Sequence, residues 1–553
     1  MKVKLFFTAM LFYCMSDFAQ VQYSAGPELE NDRDNKMNRM LGGDDNSFYC
    51  YRIRSKGKGT SFFVEKYDKA SLKPQFSKEV NLGEEDNTKI EDVEYSSGNV
   101  FIFRRQYDKK ADKMTLFFQT VSSTGVVMDQ LKEVITIGSD HFEFVDFDIY
   151  ANPSKTKFII KACHKANKED EYKTDFILMD AVNQKKLWTK TVKQKLSNPN
   201  VAAIAGAMSA FGLGMFAPDD DHFGFIGLHL DDKDNIYFCK TDLTANSTKK
   251  EKRYKLKLYT LNSADQSPKE LEMPFDDDYY VSDIEFSKSN DNEIVVGGCL
   301  KDVIERKGRD LVKCGIFSFK VNLASNSISA KASRFFDDEM LKALESNPRR
   351  SRYFKYKLDY ILPVGDAVYY VAEQYNEVYV QQTNSSGYGM TSNNYYWRYE
   401  YMDVIIGKLN AKGEFEWVKN VPLRIEIPRQ NVKHVFKQYI AVATNKNIYI
   451  LTDDHPKNME RYEKADFEPR DLKSVIGIHG SNFVSNAVSL TTGKITRTVI
   501  FKNEDYCFAP IQEKNPSFYP PSETEIFVPS KDNQIYIYTE DKGKDRFGVL
   551  KFE

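Results

Sequence analysis

Carboxylates are the densest reactive groups along this chain. They gather in four runs, Asp219-Asp220-Asp221, Asp276-Asp277-Asp278, Asp337-Asp338-Glu339 and Asp453-Asp454. Hard oxygen ligands clustered in this way could hold calcium or meet a basic partner, although acidic loops are ordinarily just solvated. The tetrapeptide Asp232-Lys233-Asp234-Asn235 looks like half of a calcium loop. It lacks the Gly and terminal Glu of an EF-hand and runs at once into Ile236-Tyr237-Phe238, so it reads as a turn. His141, His164, His222, His229, His434, His455 and His479 are scattered, with no spacing that places two on one metal. There is no GxSxG elbow, HExxH zinc helix or phosphate-cradling GxxxxGK loop. The expectation is therefore no catalytic residue and no cofactor, with calcium unsupported beyond the acidic runs. Of the cysteines, Cys50, Cys163, Cys239, Cys299, Cys314 and Cys507 form no CxxC pair. Cys299 ends one expected strand and Cys314 begins the next, which leaves two readings open: a hairpin disulfide, or two buried thiols.

The N-terminus sets the compartment in which such groups would act. Lys2 and Lys4, an apolar run over residues 5–15 and the pair Ala19-Gln20 have the layout of a secretory signal peptide, giving a leader of 1–19 and a mature chain of 20–553. The apolar run is too short to span a bilayer. Cys14 offers a lipid-anchor alternative, disfavoured by the bulky Tyr13 before it. Export is expected, to a periplasm or beyond, in association with an outer membrane or outside the cell. A net charge of −2 gives no support to nucleic acid as a partner, since phosphate binding needs a concentrated basic surface, and none is expected.

One unit positions everything else. Asp232 to Cys239, a polar turn followed by alternating apolar residues, has relatives at Gly98-Asn99-Val100-Phe101-Ile102-Phe103, Asn292-Glu293-Ile294-Val295-Val296, Asp366-Ala367-Val368-Tyr369-Tyr370, Asn447-Ile448-Tyr449-Ile450 and Asn533-Gln534-Ile535-Tyr536-Ile537-Tyr538. Turn residues followed by aromatic and β-branched residues are hairpin chemistry, and a chain with 39 Phe and 33 Tyr has ample core for an all-β fold. The units group into four-strand sets, the signature of a β-propeller whose blades pack on one another. Eight blades are expected, or seven if the weak first strand near 37–41 is not real. The last set, with strands at 524–528, 534–538 and 547–552, is one strand short, and residues 20–25 are available to supply the missing outer strand.

Two hairpins resemble the repeat of pyrroloquinoline-quinone-type propellers: Leu178-Met179-Asp180-Ala181 followed by Leu187-Trp188, and Leu409-Asn410-Ala411-Lys412-Gly413-Glu414-Phe415-Glu416-Trp417, with Leu490-Thr491-Thr492-Gly493-Lys494-Ile495 as a weaker copy. The resemblance implies the propeller fold over most of the chain. It also implies either a quinone dehydrogenase or a cofactor-free scaffold of the sort attached to outer-membrane assembly machines. The dehydrogenases would show a vicinal cysteine pair, which is absent here, so the cofactor-free branch is the expectation.

In a propeller the connections from the fourth strand of one blade to the first of the next, and from the second strand to the third, emerge on one face. Here those are the long ones, at 193–224, 334–355, 374–398 and 453–481, while the other turns are short. Two insertions suit partner binding. Residues 201–216 form an uncharged stretch that includes Ile204, Met208, Phe211, Leu213, Met215 and Phe216, read either as an apolar finger or as a plug over the protein's own channel. Residues 384–397 mix Gly, Ser and Asn with Tyr388, Tyr395, Tyr396 and Trp397, as mobile aromatic contact loops do. Residues 334–347 read as a short amphipathic helix packed on the same face. Together these give the expectation of an exported, non-catalytic scaffold that binds protein subunits of an envelope complex, for instance in type IX secretion. The alternative is a carbohydrate-active or carbohydrate-binding propeller.

Overall fold

The computed structural model describes residues 21–30, 37–56, 59–82, 88–138 except 129, 142–166, 171–195, 226–243, 254–275, 279–302 except 291, 314–336, 355–385, 391–430, 438–464, 467, 471–476, 480–503, 507–508, 529–530, 533–541 and 544–553. The element order is almost entirely strand. In blade 1 the strands Met37–Gly43, Ser47–Lys56, Gly59–Asp68 and Pro74–Val80 run up and down in chain order from the central channel outward. The same order repeats through sheets spanning 88–138, 142–195, 226–273 and 279–335. Blade 7 is Tyr439–Ala443, Asn447–Asp454, Asn482–Ser489 and Ile495–Lys502. Eight such sheets form the ring, so the weak first strand is real and eight blades stand over seven.

Ring closure follows the expected logic. Val21–Glu30 pairs antiparallel with Lys544–Phe552, from Val21 opposite Phe552 to Glu30 opposite Lys544, and so becomes the outer strand of the last blade. Next inward is Gln534–Asp541, whose far edge carries two short pieces, Cys507–Phe508 and Pro529–Ser530. The stretch 524–528, expected as the inner strand, lies outside the described residues.

The core sits in the seams between blades, because a single sheet has nothing else against which to bury its two faces. Second strands therefore read as continuous apolar runs. In blade 2, Val100 and Ile102 pack into the seam with blade 1 beside Tyr49 and Val64, whereas Phe101 and Phe103 pack into the seam with blade 3 beside Phe158 and Ile160. Corresponding apolar clusters fill the seams from blade 3 round to blade 1. The turns that resembled the quinoprotein repeat have a mechanical role. Gly413, at φ +82°, leaves no room for a side chain against Ala330 of the preceding blade, and Gly493, at φ +67°, lies against Trp417 and Lys419 of blade 6. Positive φ and close approach together call for glycine there.

Polar ties cross the same seams. Arg39 of blade 1 donates to Asp92 at 2.9 Å and Glu94 at 2.7 Å on blade 2, and Arg52 of blade 1 reaches Asp545 of blade 8 at 2.5 Å. The Tyr439 hydroxyl of blade 7 donates to Asp359 of blade 6 at 2.7 Å. Cys50, Cys163, Cys239, Cys299 and Cys314 are buried free thiols. Of the two readings for Cys299 and Cys314, the thiol reading holds: Cys299 sits opposite Ile316 and Cys314 opposite Lys301, so the two are diagonal in the ladder. Diagonal positions lie farther apart than a disulfide spans.

Candidate interaction surface

Blade 6 departs from its neighbours. Its second and third strands, Ala367–Ser385 and Thr391–Leu409, are each 19 residues long and pair from Val368 opposite Leu409 to Ser385 opposite Thr391. Among the described residues the inner strand Lys355–Val364 pairs with this hairpin as far as Tyr375, and the outer strand Phe415–Val421 ends opposite Val404. Beyond those points the hairpin continues as a ribbon on the face of the long connections. Of the segment 374–398, expected as a loop, residues 374–385 and 391–398 are therefore corrected to strand, and 386–390 lie outside the described residues. The Gly and Ser at its tip suggested an irregular segment, but the residues on either side alternate in register with each other.

The root of the ribbon is braced. After Val421 the chain crosses Pro422 to Arg424 and resumes as Ile425–Gln430 along the third strand, with Ile425 opposite Tyr401 and Gln430 opposite Trp397. Val475–Ile476, from the insertion of blade 7, then adds in parallel to Ile425–Gln430. Residues that share a ribbon face follow from this register: Tyr375, Tyr401, Tyr399 and Trp397 lie on one side, and Val378, Arg398, Val380 and Tyr396 on the other. At the root the aromatic side is closed over, as Tyr375, Trp397, Tyr399 and Tyr401 pack with Ile425 and Val475.

The insertion of blade 7 forms a clasp rather than a solvated acidic loop. It begins at Asp453-Asp454 and carries the helix Pro456–Tyr462, whose N-cap His455 accepts from the Lys457 amide. Asn458 closes the segment on itself: its amide donates to Asp454 at 2.7 Å and to the Lys473 carbonyl at 2.9 Å, and its oxygen accepts from the Lys473 amide at 2.9 Å. Asn503 donates to Asp453 at 2.6 Å and to the Ser481 hydroxyl at 2.7 Å. Burial pushes Asp453 up to about 7, against those two hydrogen bonds and with the help of neighbouring Asp454, which burial also raises. The Arg497 guanidinium lies 3.6 Å from the centre of the Tyr462 ring, and burial holds Arg497 below its ordinary value. Below them, buried Asp403 accepts from Arg424 at 2.6 Å and from Asn420 at 2.9 Å.

Several candidate residues can now be placed. Residues 201–216, and with them Ile204, Met208, Phe211, Leu213, Met215 and Phe216, lie outside the described residues, as do Tyr388, Asp219 to Asp221, Asp276 to Asp278 and Asp337 to Glu339. Tyr395 lies on the ribbon opposite Gln381, and Tyr396 is half-buried opposite Val380. Trp397 is buried in the aromatic cluster at the ribbon root. The expected helix at 334–347 begins in strand, since Ser327–Phe335 is the outer strand of blade 5, and the remainder from 337 lies outside the described residues. The turn reading at 232–235 is supported by its neighbour Asp231, which accepts from the amides of Lys233 and Asn235, both at 2.9 Å, and from Tyr237 at 3.1 Å. Among the described residues no three His, Cys, Asp or Glu side chains are grouped to hold a metal, and no helix is long and apolar enough to cross a membrane.

The sequence reading missed the polar residues that β-bulges turn aside in the inner strands. Bulges between Met37 and Arg39, Ile90 and Asp92, and Leu358 and Tyr360 set Asn38, Glu91 and Asp359 out of register near the long-connection end of the channel. Burial pushes Glu91 up to about 8 even though Arg105 lies 2.8 Å away and lowers it. No single-sequence signal separates these carboxylates from solvent-facing ones. An open groove of about 490 Å³ also lies at the seam between the closing strand and blade 1, lined by Ser24, Asp45, Asp68, Lys69, Tyr536 and Lys551 among others.

No protein-family model matches the chain, and no curated protein does. Solved structures similar to it are β-propellers. The chain is similar to the β-propeller domain of the Trilobed protease from Pyrococcus furiosus, at 9% identity and TM-score 0.33 over 87% of this chain and 99% of that one. It is also similar to the polysaccharide lyase Uly1, at 8% identity and TM-score 0.34 over 84% and 90%, and to a prolyl endopeptidase, at 9% and 0.26 over 83% and 54%. The likeness is one of fold. It nevertheless corrects the expectation of a non-catalytic chain, since peptidases and a polysaccharide lyase are among the proteins that share the fold. Missing sequence motifs do not separate a scaffold from an enzyme on an architecture that hosts both.

Proposed function

We propose that this chain is an exported β-propeller that engages a protein partner in the cell envelope through the face bearing the ribbon, as a periplasmic subunit of an outer-membrane secretion or assembly complex. The observation that supports this is the one-sided elaboration of the ring. The turns of the opposite face are short and their polar groups are engaged: Asn152 donates to Asp232 at 2.7 Å, and Lys190, from the outer strand of blade 3, donates to the carbonyls of Asn262 and Ser263 at 2.6 and 2.9 Å. On the ribbon face, strands extend beyond the blade and are braced at the root by a neighbouring blade. Rigid scaffolds with one elaborated face ordinarily bind there.

The test is affinity capture of the tagged full chain from cross-linked native envelopes, run beside two variants. One replaces residues 382–394 by Asn-Gly, which closes the ribbon with a two-residue hairpin. The other deletes 201–216. Wild type should enrich outer-membrane proteins that at least one variant loses while still folding. An unchanged set across all three chains defeats the reading.

A further inference from the structure

One stretch of the short-turn rim differs from the rest. Among the described residues seven large apolar side chains are exposed, and four of them belong to the neighbouring outer hairpins of blades 2 and 3: Val126 at 56%, Met128 at 47%, Val182 at 60% and Leu187 at 47%. Single exposed apolar residues are ordinary, but a concentration of them is not. Two contacts hold these hairpins side by side. Lys132 of blade 2 donates to Gln184 of blade 3 at 2.7 Å, and Lys186 of blade 3 donates to the Val134 carbonyl of blade 2 at 3.1 Å. Charge is concentrated on the same rim. The outer strand of blade 3, Lys185–Lys195, carries five lysines and no carboxylate, whereas that of blade 4, Lys269–Met273, mixes one lysine with two glutamates. Lys193 stands opposite Lys173 in the ladder, which widens the basic strip onto the third strand. Carboxylates of the two hairpins are engaged locally, Asp180 by the Asn183 amide at 2.9 Å and Glu133 by the Thr136 hydroxyl at 2.8 Å.

We propose that this rim docks on a membrane surface bearing anionic phosphate headgroups, with the lysines among the headgroups and the four aliphatic side chains at the acyl boundary. Three features select lipid over protein. The first is composition: lysine is depleted from protein interfaces, and Leu and Val are under-represented among their hot spots, whereas lysine beside aliphatic residues is the pairing that interfacial membrane binding uses. The second is placement. Val126 and Val182 lie in the turns themselves, and long lysine stems let the ammonium stay with phosphate while the methylenes lie beside apolar surface. The third is that the chain as a whole is close to neutral, at −2, so attraction to an anionic surface belongs to this strip and orients the molecule. An ammonium that rests on a neutral carbonyl, as Lys186 does, keeps its charge. The long connections and the ribbon leave the ring on the other face, so docking here directs the ribbon away from the membrane. The envelope partner proposed above is not required, and failure of the lipid reading leaves that proposal standing.

Vesicle flotation of the purified mature chain tests this. Wild type should float with vesicles of equal parts phosphatidylglycerol and phosphatidylcholine at low ionic strength, bind pure phosphatidylcholine about tenfold more weakly or less, and lose affinity for the anionic vesicles as salt is added. The variant Lys185→Ala/Lys193→Ala removes two exposed charges from the strip and should weaken anionic binding by about tenfold or more. The variant Val126→Ser/Val182→Ser should weaken it by about tenfold at both low and high salt, because the apolar contribution is not screened. Lys109→Ala/Lys110→Ala, on the exposed turn at the other end of blade 2, should bind as wild type does. Circular dichroism and thermal midpoints close to wild type show that the variants fold. A wild-type chain that stays below the anionic vesicles overturns the proposal, as does one that floats equally well with every substitution or loses as much at Lys109 and Lys110. A chain that ignores vesicles but binds an acidic protein through Lys185 and Lys193 overturns it too, and gives the rim to a protein.

Discussion

Removing the Arg52 guanidinium should open the ring at its closing seam. Arg52 holds Glu65 of its own blade at 2.7 Å and Asp545 of blade 8 at 2.5 Å, with the three side chains 4%, 10% and 2% exposed. Glu65 has other support, since Tyr67 donates to it at 2.8 Å and Ser77 at 3.1 Å. The Arg52→Ala change therefore removes the guanidinium that Asp545 meets across the closing seam. Breaking a buried pair by removing one partner costs about 3–5 kcal/mol, and loss of the Arg52 stem from a packed seam adds to it. The loss should appear in urea unfolding at pH 7 as a lower midpoint. Hydrogen exchange should accelerate first in peptides covering Val21–Glu30 and Lys544–Phe552, because Asp545 lies on the strand that the closing strand clamps. Pairing Arg52→Met with Asp545→Leu should restore most of the stability, since apolar replacement removes both desolvation penalties. An Arg52→Ala protein within about 1 kcal/mol of wild type, the range of an exposed ion pair, would falsify the reasoning, because it would mean that water reaches Asp545 and the seam is not sealed.

Three further outcomes follow from the same packing. Asp453, at about 7 when folded against an ordinary 3.8, binds a proton in the folded state that the unfolded chain has released between those values. Its contribution is fully present below about pH 4 and lost as pH rises through about 7, so the thermal midpoint of Asp453→Asn should gain on wild type across that window and level off above it; a constant difference refutes this. At Gly548 an added Cβ would lie 2.3 Å from the Tyr23 ring, so Gly548→Ala should cost about 1–3 kcal/mol and expose the closing strand to proteolysis, whereas unchanged cleavage would show that the ring shifts to make room. Buried Cys299 and Cys314 should resist alkylation in the native protein and react fully after denaturation without reductant; a requirement for reductant would mean that they are bridged.

The blades were legible because each repeats a local event, a polar turn followed by a strand buried on both faces, and both parts leave marks in adjacent residues. Met37–Gly43 left almost none. Its sequence is Met-Asn-Arg-Met-Leu-Gly-Gly, with register shifts at both ends, and its attachment runs through Arg39 to Asp92 and Glu94 more than fifty positions on. Strand propensity sees no such partner. The ribbon was hidden for the same reason. Tyr375 and Trp397 are elements of one aromatic side only once the hairpin register is known, and the strands that brace its root come from residues 425–430 and 475–476. Charged residues inside strands carry no mark of their burial. Asp403, within the third strand of blade 6, would mark a solvent face in an isolated sheet, whereas here it is buried and accepts from Arg424.

Where a propeller spends its polar groups bears on where it can bind. On the short-turn face, Asp231, Asn152 and Lys190 are committed to neighbouring turns, so substitutions there should register as loss of stability. On the ribbon face the commitments concentrate at the root. The parallel addition of Val475–Ile476 and the Tyr462 hydroxyl, which donates to the Pro422 carbonyl at 3.2 Å, tie blade 7 to blade 6 below the extension. A hairpin rooted in one blade could hinge about its base, but one fixed by strands from two blades has its direction set by the ring. Positional precision of that kind contributes little to the stability of the propeller itself. It matters when an edge must meet a second surface in a fixed register, because each residue ordered before the encounter lowers the entropy lost in it. The two-blade root thus sets the direction in which the ribbon leaves the ring.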